Sequence, residues 1–172
     1  MDVTEQQWLN LMKEVLIRCD PKAVKQFFGD APDLELRKKL RHFFADQVFV
    51  DMWAGYMVGM HATKVGKAVS SHELKEKSKI MLEVFPVPFH LMSSLLQKIA
   101  MDKEFKLDNP EKKRWNFVWD SQLSFSIGAN HEIADVPIFF ITSDGEIIKA
   151  AEAAGCGSRV LSLKDYLASV GF

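Results

Sequence analysis

The sequence predicts an α/β fold, a parallel sheet flanked by helices behind an N-terminal helical extension, on three observations. Val136 to Thr142 is a nearly continuous apolar run, the pattern of a strand covered on both faces. Ser143-Asp144-Gly145 follows it as a tight strand-to-helix turn. Trp115 to Ile127 before it and Glu146 to Ala154 after it carry helical patterns, so helix, strand and helix succeed one another with short links, an order that favours a right-handed crossover.

The extension spans residues 1–47 on this reading and the α/β domain residues 48–172. From Thr4 to Ile17, Trp8, Leu9, Leu11, Met12, Val15 and Leu16 recur at helical intervals, with Thr4 as N-cap. Asp20-Pro21 starts a second helix that runs to Gly29, because proline suits the first helical turn after an Asp cap. After the turn Asp30 to Asp33, a third helix from Leu34 to Ala45 carries Arg37, Lys38, Lys39 and Arg41, a solvated basic face or a source of phosphate contacts.

Gln47 to Lys64 supports two patterns. Val48, Met52, Tyr56 and Met60 are spaced as on one helix face, while Val48-Phe49-Val50 ahead of Asp51 reads as a short buried strand ending at an acid. Strand followed by helix is preferred, with Gly55 and Gly59 allowing close helix packing. Ala68 to Ser71 reads as a second short strand, followed by a helix through Leu74, Ile80 and Val84. Phe85 to Pro88 breaks it, and Leu91, Leu95, Leu96 and Ile99 mark the next helix. Lys103 to Lys113 is a polar loop. At the C-terminal end, Gly155 stops a small-residue helix, Val160 to Ser162 forms an edge strand and Leu163 to Val170 a closing helix.

Composition narrows the functional classes. With 22 Lys and Arg against 23 Asp and Glu there is no global basic footprint, so any nucleic-acid contact is local. Cys19 and Cys156 lack metal-ligand or CxxC spacing and read as reduced structural thiols. The N-terminus carries acids where a secretory signal needs a basic start, and the longest apolar stretches fall well below the roughly 20 residues that span a bilayer. A cytoplasmic location is the expectation.

Binding crevices in open α/β sheets lie at the carboxyl ends of strands. Asp144 and Asp51 each follow an apolar run, and Asp120 sits on the helix between them. Carboxylates gathered in such a crevice bind Mg²⁺ or Mn²⁺ through oxygen. Here the sequence resembles the PIN-domain ribonuclease family. Val136 to Asp144, with Ile147, Ala150 and Ala151 behind it, is similar to the family's closing strand and Thr-x-Asp turn, and Val160 to Leu167 to its ending. Asp120 with Leu123 is similar to the acid that the family carries on an upstream helix. Val48 to Asp51 looks like the opening strand and first acid, and Val69 to Glu76 like the second strand and its acid-bearing helix.

The resemblance implies a PIN-like α/β domain acting as a metal-dependent ribonuclease. Asp51, Asp120 and Asp144 would hold Mg²⁺ or Mn²⁺, Glu76 would assist, and Thr142 or Ser143 would support the metal ligands by hydrogen bonding. Lys64, Lys67 and the basic helix would contact phosphate. The partners left open are RNA, another protein and a second copy of the chain in a homodimer; no membrane is expected. The rival reading is the same fold with a decayed site, serving as a binding or scaffolding module; convergence of the Asp51, Asp120 and Asp144 carboxylates would favour the enzyme and their separation the module. A small-ligand domain is a third, for which a preformed apolar cleft would speak.

Individually, Asp144 would serve as a helix cap, Asp120 as a partner of Arg114 or Lys113, and Asp51 as a surface helix residue. His61, His72, His90 and His131 have no ligand spacing. Trp53, Trp115 and Trp119 would stack bases or, at helical spacing, fill a core.

Overall fold

The structure is a computed structural model that describes Asn10, Glu14 and residues 34–102, 116–128, 132–133 and 136–171. The helices expected over Thr4 to Ile17 and Pro21 to Phe28 lie outside the described residues apart from Asn10 and Glu14, as do the Lys103 to Lys113 loop, Trp115, Cys19 and His131.

Helix α1 (Leu34–Ala45) places Leu36, Leu40 and Phe44 on one buried face at intervals of four. Helix α2 (Gln47–Lys64) begins at Asp46, whose carboxylate accepts the Val48 amide at 2.8 Å. The expected strand at Val48 to Val50 is therefore helix. Asp46 caps the turn, and the helical period carries Phe49 and Trp53 together into the core while Val48 stays exposed. Two-residue alternation would have grouped Val48 with Val50 instead.

Helix α3 (Ser71–Val84) starts at a reciprocal capping box. The Glu73 amide donates to Ser70 Oγ at 3.2 Å, and the Ser70 amide donates to Glu73 Oε2 at 2.9 Å. This chemistry occupies the stretch read as a second strand, Ala68 to Ser71. Helix α4 (Pro86–Met101) meets α3 at a 90° bend at Phe85. The two prolines open α4, because a first-turn amide has no intrahelical partner to lose.

Helix α4 is the spine. Phe89, Met92, Leu96 and Ala100 face α1 and α2, where Phe44, Phe49 and Trp53 complete a buried cluster. Val87 and Leu91 face the other way, against Ile127, Ile147, Ala150, Ala151 and Cys156. Each such fully buried large side chain contributes about 1.5–3 kcal/mol. Helix α1 runs antiparallel to α4. Arg37 near its start, only 2% exposed, donates to the Met101 carbonyl at 3.2 Å, and Ser93 Oγ donates to the Phe44 carbonyl near its end at 2.6 Å. Both bonds satisfy carbonyls that helix ends leave without partners.

The C-terminal part holds α5 (Asn116–Leu123), a 3₁₀ turn (Ser124–Ser126), and four two-residue strands: β1 (Glu132–Ile133), β2 (Val136–Pro137), β3 (Phe140–Ile141) and β4 (Val160–Leu161). Helix α6 (Gly145–Ala153) connects β3 to β4, and α7 (Leu163–Ser169) closes the described chain. Strands β1 and β2 pair antiparallel, β3 and β4 parallel. Gly155, at φ 71°, adopts the left-handed conformation just past α6.

The expected PIN-like parallel sheet flanked by helices is thus not the architecture. Seven α-helices and only two isolated strand pairs are present among the described residues. The Val136 to Thr142 run does not form a central strand. Its first two residues pair with β1 and its later ones with β4, and Val136 (63%), Phe139 (45%) and Ile141 (40%) are exposed. Pro137 removes a ladder amide inside the run. The local order of strand, turn, helix, short strand and helix does hold from Phe140 to Ser169. Among the described residues no single helix is long and apolar enough to cross a membrane.

Candidate functional site

The four acids stand in two pairs. Asp120 lies in the second turn of α5 and Asp144 immediately before α6. Asp144 Oδ1 accepts the amides of Glu146 at 2.8 Å and Ile147 at 3.2 Å, so it is the N-cap of α6. Its own amide donates to Thr142 Oγ1 at 3.0 Å, which holds the Thr-x-Asp turn in shape. Burial raises the Asp120 carboxyl above its ordinary pKa, and the negative charge of Asp144 raises it further. The charge of Asp144 therefore reaches the Asp120 carboxyl.

Around this pair, Lys98 of α4 forms an ion pair with Glu146, in the first turn of α6. Trp119, next to Asp120, is 44% exposed, in contrast to a core tryptophan. Trp53 does fill the core, stacked at 6.1 Å on Tyr56. Ser143 is exposed beside the cap.

Asp51 and Glu76 lie elsewhere, on the walls of a cavity of about 750 Å³ between α2 and α3. Asp51 Oδ1 accepts Gln47 Nε2 at 2.9 Å on its own helix face. Sequence reasoning did not anticipate this cavity. A Cβ on Gly55 would lie 3.6 Å from Ser78 Oγ, and one on Gly59 3.9 Å from Leu74 Cδ1, so α2 and α3 run antiparallel with the two glycines at their contact.

Among the described residues no group of three or more His, Cys, Asp or Glu is arranged to hold a metal ion. His61, His72 and His90 are exposed and dispersed. Of the basic helix, Arg37 is buried against Met101, and Lys38 pairs with Glu35 at 3.0 Å; Lys39 and Arg41 are exposed, as are Lys64 and Lys67. Burial pushes the Cys156 thiol up from its ordinary pKa, consistent with an inert packed cysteine.

No family model, curated protein or solved structure matches the chain.

Proposed function

We propose that the Asp120–Asp144 pair is the centre of a divalent-cation-dependent phosphodiesterase acting on RNA. The observation that carries this reading is that the charge of Asp144 reaches Asp120, whose carboxyl is raised first by burial and then by that charge. A carboxyl raised by burial and by a neighbouring negative charge is relieved when a hard cation binds beside it. Mg²⁺ commonly takes only one or two carboxylates from the protein and completes its shell with water and substrate phosphate, so Asp120 and Asp144 would be its protein ligands. Such an ion, when bound, neutralises a scissile phosphate and lowers the pKa of a water.

The chain's own residues supply the rest. Oδ1 of Asp144 is held by the α6 amides, so the carboxylate is oriented before any ligand arrives. Thr142 holds the turn that presents it. Asp120 takes up a proton more readily than an ordinary carboxylate, and a cation bound beside it would oppose that shift. Trp119, exposed beside Asp120, offers a face on which a nucleobase stacks.

Thermal melts with and without Mn²⁺, beside cleavage of a single-stranded RNA by wild type, Asp144→Asn and Asp120→Asn, test the proposal. Asn keeps the α6 cap, so a loss in Asp144→Asn reports on charge. The expected result is a Mn²⁺-dependent rise in melting temperature and metal-dependent cleavage in wild type, both lost in the variants. If wild type shows neither, a binding role without catalysis, the reading that the separation of Asp51 from the pair favours, replaces this one.

A further inference from the structure

The α2–α3 cavity is separate in composition from the Asp120–Asp144 pair. At about 750 Å³ it falls within the roughly 300–1,000 Å³ typical of small-molecule sites. Met52 and Tyr56 wall it from α2, Leu74 and Leu82 from α3, with Gly55 opposite Ser78 between them. Ser78 Oγ is spent on the Leu74 carbonyl at 2.6 Å, so this part of the wall presents little unused polarity.

Charge is confined to the remaining lining. Glu14, Asp51 and Glu76 contribute three carboxylates, and none of them takes part in an ion pair among the described residues. Of the two lysines among the described lining residues, Lys79 lies 3.9 Å from Glu83 on its own helix, whose carboxylate offsets it, which leaves Lys75 as the counterweight. The Tyr56 phenol is raised above its ordinary pKa by burial first and then by the charge of Glu14, so a negative field reaches the cavity wall.

We propose that this cavity is a binding site for an amphipathic amine, a ligand with an apolar body and one protonated amino group. The body occupies the space between Met52, Leu74 and Leu82. The ammonium group meets the carboxylates of Glu14, Asp51 and Glu76. Among the described residues an anionic amphiphile of the same length would face three carboxylates of the lining against Lys75 and a Lys79 that Glu83 offsets. The inference is independent of the phosphodiesterase reading.

Calorimetric titration of the full chain with octylamine, 1-octanol and octanoate, each below its aggregation concentration, tests it. Octylamine should bind tightest, octanol more weakly and octanoate weakest. The double variant Asp51→Asn/Glu76→Gln should weaken octylamine roughly three- to tenfold, the loss of two exposed charge contacts, while leaving octanol unchanged. Gly55→Leu, which fills the cavity, should abolish binding of all three. Octanoate binding as tightly as octylamine, octylamine no better than octanol, an unaffected double variant, persistent binding in a folded Gly55→Leu protein, or no binding by any probe would each overturn the proposal.

Discussion

Asp144 acts on two neighbours at once: it caps α6 through the amides of Glu146 and Ile147, and its charge raises the Asp120 carboxyl. Capping and charge repulsion can be separated by substitution, because Asn retains the first and removes the second.

The first prediction concerns the proton on Asp120. Replacing Asp144 with Asn should lower the Asp120 pKa without restoring the ordinary value, since burial, the larger cause, remains. A carboxyl-carbon NMR titration of both proteins measures it. An unchanged Asp120 titration would show that the two carboxylates do not interact.

Stability should follow the same group with a definite sign. Because the Asp120 pKa is raised in the folded state, the folded chain holds a proton that the unfolded chain releases between the ordinary and the raised value. That stabilising contribution is fully present below the unfolded value and is lost as pH rises through the folded one. Asp120→Asn should therefore gain on wild type as pH rises across this window, as read from urea midpoints at a series of pH values.

Glu73 should behave oppositely. Its pKa is lowered chiefly by hydrogen bonding from the Ser70 backbone and then from the Ser70 hydroxyl. The stabilisation is present above the unfolded pKa and is lost as pH falls through the lowered one. Glu73→Gln, which keeps a capping-box acceptor, should show a shallower loss of stability in acid than wild type.

The register of α2 gives a direct test of the helix that replaces the expected strand. Phe49 is 1% exposed and packs edge-on against Phe44 at 5.1 Å, whereas Val48 is 64% exposed. Phe49→Ala should cost about 3–5 kcal/mol, as for other buried aromatic truncations. Val48→Ala should fall within about 0.5 kcal/mol of wild type, as for surface positions generally. Equal costs at both positions would contradict the assigned helix face.

Much of the local structure was legible in the chain. Leu91, Leu95, Leu96 and Ile99 announced α4, and Asp144-Gly145 with Gly155 bracketed α6 within a residue at each end. Such signals are local, since caps and helical periods depend on groups within one or two turns. The strand at Val48 was misread because a short apolar run before an acid fits either period. The decisive evidence, Phe44 and Phe89 waiting for Phe49, lies elsewhere in the sequence.

By itself, the sequence determined the bounds of α1, α3, α6 and α7 to within a residue and which residues make the Thr142–Asp144 turn, because backbone amides and side-chain caps satisfy one another over short distances. Tertiary structure decided the rest. Whether Val136 to Ile141 became one covered strand or two short pairs depended on what lay across from it, and apolarity alone cannot specify a partner. The same holds for the acids. Packing of α2 on α3 set Asp51 and Glu76 on one cavity, while the placement of α5 and α6 brought Asp120 under the charge of Asp144, relationships between residues that only long-range packing creates.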